Sequence, residues 1–108
     1  MAQPKDQRAA ERFTVNLHAS CDFVSPVLED FGPVRIKNVS SDGIGLITSE
    51  PLVEGLLLAI NLVNPMKKFS KTVLARVVHV TPQSGATYLV GCSFLTPLSY
   101  EDVCALIL

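Results

Sequence analysis

Val34-Arg35-Ile36-Lys37-Asn38-Val39-Ser40-Ser41-Asp42-Gly43-Ile44-Gly45-Leu46-Ile47-Thr48 is the stretch that decides the fold. Two apolar-rich segments, 34–39 and 43–48, meet at Ser41-Asp42-Gly43. An Asp-Gly pair between strands favours a tight hairpin because glycine accepts positive φ. The rest of the chain is punctuated in the same way. Prolines 26, 33, 51, 65, 82 and 97 and glycines 32, 43, 55 and 85 fall at seams between apolar segments. The seams divide the chain into strands expected near 14–23, 34–39, 43–48, 55–63, 70–81 and 86–96. The first alternates cleanly, with Val15, Leu17, Ala19, Cys21 and Phe23 on one face and Thr14, Asn16, His18, Ser20 and Asp22 on the other. That is the pattern of a half-buried antiparallel strand.

Beyond Pro97 the periodicity changes. Ser99 reads as a helix N-cap with Asp102 in the capping-box position, Leu98 placed to staple onto Val103, and Val103, Leu106 and Ile107 as one apolar stripe. Short strands with alternating faces cannot leave two long edges open without risking aggregation. The expected architecture is therefore all-β: a six-stranded antiparallel barrel plugged by a short C-terminal helix. Residues 1–12 form a flexible N-terminal arm in this reading, 13–97 the barrel and 98–108 the helix.

A chain of 108 residues makes one domain. Its 48% hydrophobic content and scattered charge exclude a disordered segment, and no apolar run is long enough to span a bilayer, so no membrane insertion is expected. The three cysteines lack C-x-x-C spacing and the first residues carry no signal-peptide stretch, which fits a reducing cytoplasm. A net charge of −1 argues against a nucleic-acid polymer as partner, because such binding neutralises many phosphates with Lys and Arg. Two well-placed arginines could still neutralise a small ligand with two phosphates.

Two motifs carry chemistry. Arg8-Ala9-Ala10-Glu11-Arg12 places two arginines one turn apart, either pairing with Asp6 or Glu11 on a short helix or free to bind phosphate and stack on a purine. Asn38-Val39-Ser40-Ser41-Asp42-Gly43 either satisfies turn geometry alone or presents an amide and a hydroxyl to a base edge, with a residue lacking Cβ that lets the base approach. Together they resemble the R-x-x-x-R and [D/N]-x-S-x-x-G pair of PilZ domains, small bacterial barrels that bind cyclic di-GMP. Gly91-Cys92-Ser93-Phe94 is similar to the G-x-x-F stretch on that family's last barrel strand.

The resemblance implies a cyclic di-GMP receptor with Arg8, Arg12, Asn38, Ser40 and Gly43 as ligand-binding residues. It implies His79 as well, at a position where some members stack an aromatic ring on guanine; a rim histidine is the competing reading. Asn38 stands where the family often has Asp, and Gln7 where many relatives have a further arginine, which leans toward one ligand per site. The arm would order on binding and signal to a downstream protein effector. The alternative is a ligand-independent PilZ-like interaction module, with a barrel for RNA or single-stranded DNA third.

Other patterns lead nowhere. Lys67, Lys68 and Lys71 around Phe69 read as a solvated loop entering a strand, and the histidines and cysteines lack metal-ligand spacing, so neither metal nor cofactor is expected. No nucleophile has a visible base, and Asp42-Gly43-Ile44-Gly45 is too short to cradle phosphate, so no catalytic residue is assigned.

Overall fold

The computed structural model of the chain describes residues 11–24 and 31–108. It contains β1 (Ser20–Phe23), β2 (Val34–Val39), β3 (Gly43–Thr48), β4 (Leu57–Asn64), β5 (Phe69–Gln83), β6 (Thr87–Phe94) and α1 (Tyr100–Ile107). The strands form one antiparallel sheet in the order β1-β4-β5-β6-β3-β2, which curls until β1 lies beside β2 and the barrel is nearly closed. Curling removes most of the open edge that a flat six-stranded sheet would expose.

The interior follows strand alternation. Ile44 and Leu46 from β3, Leu58, Ile60 and Leu62 from β4, Val77 from β5 and Val90 from β6 are buried in one core with Leu98, Val103 and Leu106 from the C-terminal segment. Each fully buried residue of this size contributes about 1.5–3 kcal/mol relative to exposure. The helix begins with the expected capping box: the Ser99 hydroxyl accepts from the Asp102 amide at 3.1 Å, and the Asp102 carboxylate accepts from the Ser99 amide at 3.4 Å. Asn64, fully buried at the end of β4, ties the helix to the barrel. Its Nδ2 donates to the Ala105 carbonyl at 2.8 Å and its Oδ1 accepts from the Met66 amide at 3.1 Å.

Three expectations are corrected. The first strand does not begin at residue 14: Asn16 Oδ1 accepts from the His18 amide at 2.7 Å, turning the chain so that Leu17 is 90% exposed, and β1 starts only at Ser20. Side-chain bonding to the nearby backbone has beaten alternation there. Pro82 does not separate two segments; it lies inside β5 opposite Tyr88, near the end of the β5–β6 hairpin, where the sheet tolerates a missing donor. Lys71 lies in β5, within the strand expected over 70–81, but it is not simply solvated: it bridges to Asp102 of α1 at 2.7 Å.

Candidate functional site

The β2–β3 turn is built around Ser40, which is fully buried. Its hydroxyl donates to Asp42 Oδ1 at 2.6 Å and accepts from the Gly43 amide at 3.2 Å, while the Ser40 amide donates to the Gly43 carbonyl at 2.9 Å. The Ser40 side chain therefore serves the turn itself. Outward bonds from the same turn fix its place: the Asp42 carbonyl accepts from Phe94 N, and the Ser41 carbonyl accepts from Leu98 N.

Gly43 is not in the left-handed region, contrary to the turn chemistry expected from Asp-Gly; among the described glycines only Gly32, Gly55 and Gly85 have positive φ. A different constraint selects glycine. A Cβ at position 43 would stand 2.5 Å from the Cys92 carbonyl oxygen and 3.4 Å from a terminal nitrogen of Arg12. The position must be bare because β6 and the arginine pass directly over it.

Arg12 is held by its neighbour. Phe13 and Val39 exchange backbone hydrogen bonds of 2.8 and 2.9 Å, stitching this end of the arm to the edge of β2. From there Arg12 Nη1 donates to Asn38 Oδ1 at 2.9 Å. Its Nε is buried without an acceptor. Arg8 lies outside the described residues, as does the expected flexible arm up to residue 10.

Asn38 and His79 reach the site by a shared device. By strict alternation Asn38 would follow Ile36 inward and His79 would follow Val77 inward. A β-bulge between Ile36 and Asn38 and another between Val77 and His79 turn both outward, where Asn38 pairs with Gly45 and His79 with Gly91. Gly45 and Gly91 are themselves paired. The result is a row, Asn38-Gly45-Gly91-His79, running across β2, β3, β6 and β5, with Arg12 above Gly43 at its side.

These residues line two adjoining hollows. One of about 300 Å³ is walled by Arg12, Asp42, Val78, His79, Gly91 and Ser93. The other, of about 200 Å³, is walled by Arg12, Asn38, Gly45, His79, Leu89 and Gly91. Cys92 lies beneath the first; burial pushes its thiol up to about 12, against a smaller opposing pull from Arg12, so it is inert at neutral pH. Sequence reasoning brought Arg12, Asn38 and His79 to one place and missed Gly45 and Gly91 as part of it. The available signal was a slip of phase, with apolar residues at 36 and 39 and at 77 and 80 flanking a polar one.

On the far side of the arm lies a larger, mainly apolar groove of about 460 Å³ between Phe13 and the helix residues Tyr100, Val103, Ile107 and Leu108. Because the arm is extended here, Arg12 faces the polar cleft while Glu11 and Phe13 face this groove.

The class that the fold and site define is a small antiparallel barrel with a polar, glycine-floored cleft on its outer face, lined by Arg12, Asn38 and His79. The chain matches the PilZ domain over residues 6–107 and belongs to that family. Among solved structures it is similar to the K. pneumoniae MrkH–c-di-GMP complex, with 20% identity and a TM-score of 0.68 over 93% of this chain and 49% of that one. It is also similar to the PilZ domain of YcgR from Escherichia coli with c-di-GMP, with 19% identity and a TM-score of 0.67 over 94% of this chain and 86% of that one. This chain thus spans about half of the MrkH chain. No curated protein sequence matches it. Among the described residues no helix is long and apolar enough to cross a membrane.

Proposed function

We propose that this PilZ domain is a cyclic di-GMP receptor and that the cleft between Arg12, Asn38 and His79 receives the nucleotide. The observation that carries the reading is the convergence of a guanidinium, a carboxamide and an imidazole on one glycine floor, in a family whose solved relatives above hold that ligand. A guanidinium binds phosphate through paired donors and stacks on purine faces, so Arg12 suits either part of a dinucleotide. Its Nε is buried without an acceptor, and a bound anion that supplies one recovers about 1–3 kcal/mol of unsatisfied-donor cost. Gly43 keeps the approach open, and Ser40 shapes the turn that carries Asn38.

Arg8 joins the site on binding. Arg12 is anchored through Phe13, and four residues of extended chain reach at most about 14 Å, a span short enough for both arginines of the motif to contact one dinucleotide. In this reading the arm closes on the ligand at a cost taken from the binding energy, roughly 2–5 kcal/mol for a folding-coupled segment. The same movement is read out on the other face, because Glu11 and Phe13 flank Arg12 and wall the apolar groove on α1. A downstream protein that contacts this end of the barrel therefore senses the ligand; no catalytic step is involved.

Titration calorimetry with cyclic di-GMP, paired with NMR of residues 7–12 and 38–43, tests the reading. Binding with shifts in both segments is expected, and Arg12→Ala is expected to weaken it by about 2–5 kcal/mol. Neither heat nor shifts at high nucleotide concentration would remove the proposal.

A further inference from the structure

The two glycines at the centre of the row have a distinctive environment. Both are buried, yet their Cα hydrogens point to the outer face of the barrel, opposite to the core residues Ile44, Leu46, Val90 and Cys92. What covers them is side chain. A Cβ on Gly45 would meet Asn38 Oδ1 at 2.7 Å, and a Cβ on Gly91 would meet the His79 ring at three atoms, the nearest within 2.4 Å. Asn38 and His79 thus lie down over the bare backbone of the inner two strands and lean toward each other. Their own strands are three inter-strand spacings apart, roughly 14 Å of backbone. Side chains standing upright at that separation would leave two isolated posts.

We infer that Gly45 and Gly91 are ligand-positioning residues: by leaving the sheet bare they let three planar groups, the Arg12 guanidinium, the Asn38 carboxamide and the His79 imidazole, form a low platform that takes a nucleobase flat against it. The inference rests on the receptor reading above and deepens it. The Asn38 end has a set polarity. A guanidinium has donors only, so the atom of Asn38 facing Arg12 is Oδ1, and the amide Nδ2 is left to donate to the ligand. The His79 end supplies the aromatic face, and stacking on such a face is tolerant of sequence but demands a ring lying in the right plane. A methyl group at position 91 lifts that ring out of plane; a methyl group at 45 pushes the carboxamide away from Arg12.

Gly91 differs here from Gly43. A Cβ at 43 strikes the backbone of β6, whereas a Cβ at 91 strikes the ring of an exposed histidine that is free to swing outward. Gly91→Ala therefore folds, and what it loses is the platform.

The experiment is a double-mutant cycle on the full chain, read by titration with cyclic di-GMP and by thermal melting. Gly91→Ala is expected to bind about 5- to 100-fold more weakly than the parent, in line with the loss of one base stack, while melting within a few degrees of it. In the His79→Ala background, where the clashing ring is gone, adding Gly91→Ala should cost nothing further. Gly45→Ala gives an independent second arm, with a comparable loss that Asn38→Ala renders silent. A nuclear Overhauser contact between the His79 ring and the Gly91 Hα protons, present in the ligand-free parent and absent from Gly91→Ala, would support the lying-down geometry without any ligand. Parent-like binding by Gly91→Ala, or losses that simply add to His79→Ala, would overturn the platform while leaving the receptor reading intact. Failure of the parent itself to bind the nucleotide would overturn both.

Discussion

Replacing Gly43 with alanine separates two explanations of the motif glycine. If the residue were there for a left-handed turn, asparagine, which tolerates that region, would be accepted better than alanine. The structure gives a different ground: the new Cβ would sit 2.5 Å from the Cys92 carbonyl oxygen, about 0.9 Å inside the 3.4 Å at which ordinary contact begins. The obstacle is backbone, held in the β3–β6 ladder through the Ile44–Cys92 and Gly43–Ser93 pairs, so it cannot rotate away as a side chain would. Overpacking of this kind costs about 1–3 kcal/mol, and the ordinary advantage of alanine over glycine in a strand offsets about 0.5–1 kcal/mol of it. At mid-range a net loss of about 1 kcal/mol follows, which in a domain of this size lowers the melting temperature by roughly 4–8 °C. Urea titration should show a lower midpoint at an unchanged slope. Serine and asparagine should be no better than alanine, and all three should weaken cyclic di-GMP binding because Arg12 also passes over this position. Parent-like stability of the alanine variant, or selective tolerance of asparagine, would refute the close-approach argument.

Asn64→Ala strips the buried amide that bonds Ala105 and Met66 at once, and a loss of about 1–3 kcal/mol in urea denaturation is expected; an unchanged midpoint would mean that this amide does not hold the helix to the barrel. Asp102 is held below its usual value chiefly by its hydrogen bond to Lys71, with help from Ser99 and against the opposing effect of burial. A carboxylate with a lowered folded pKa contributes stability that is present above its unfolded value near 4 and is lost as pH falls through the folded one. Asp102→Asn should therefore be less stable at neutral pH and show a flatter acid limb of melting temperature against pH; an acid limb identical to the parent's would contradict this. Burial pushes the thiols of Cys21 and Cys92 up to about 12, so a thiol reagent at neutral pH should modify only the half-buried Cys104 in the folded protein. Mass spectrometry showing fast native-state labelling of Cys92 would mean that the floor of the cleft opens.

Much of the barrel is legible in the sequence. The hairpin at 34–48, the helix start at Ser99 and the grouping of Arg12 with Asn38 depend on local chemistry, on turn residues, caps and motif spacing that act within a few positions of chain. The first strand was misread for an equally local reason, since Asn16 offers its own side chain to the backbone and the alternation of 14–19 never becomes a strand. Pro82 misled in the opposite direction: a proline marks a seam only where the sheet needs its missing donor.

What the residues determined alone is thus the strand count, the hairpin that carries Asn38 and the supply of a guanidinium, a carboxamide and an imidazole. What only the tertiary structure decided is the direction in which those groups point. Alternation sends Asn38 and His79 into the core; two bulges reverse them, and a bulge is a property of paired strands rather than of one strand. Gly43, Gly45 and Gly91 likewise become meaningful only when β3 and β6 lie side by side, because a missing Cβ matters through the atoms of another segment that occupy its place.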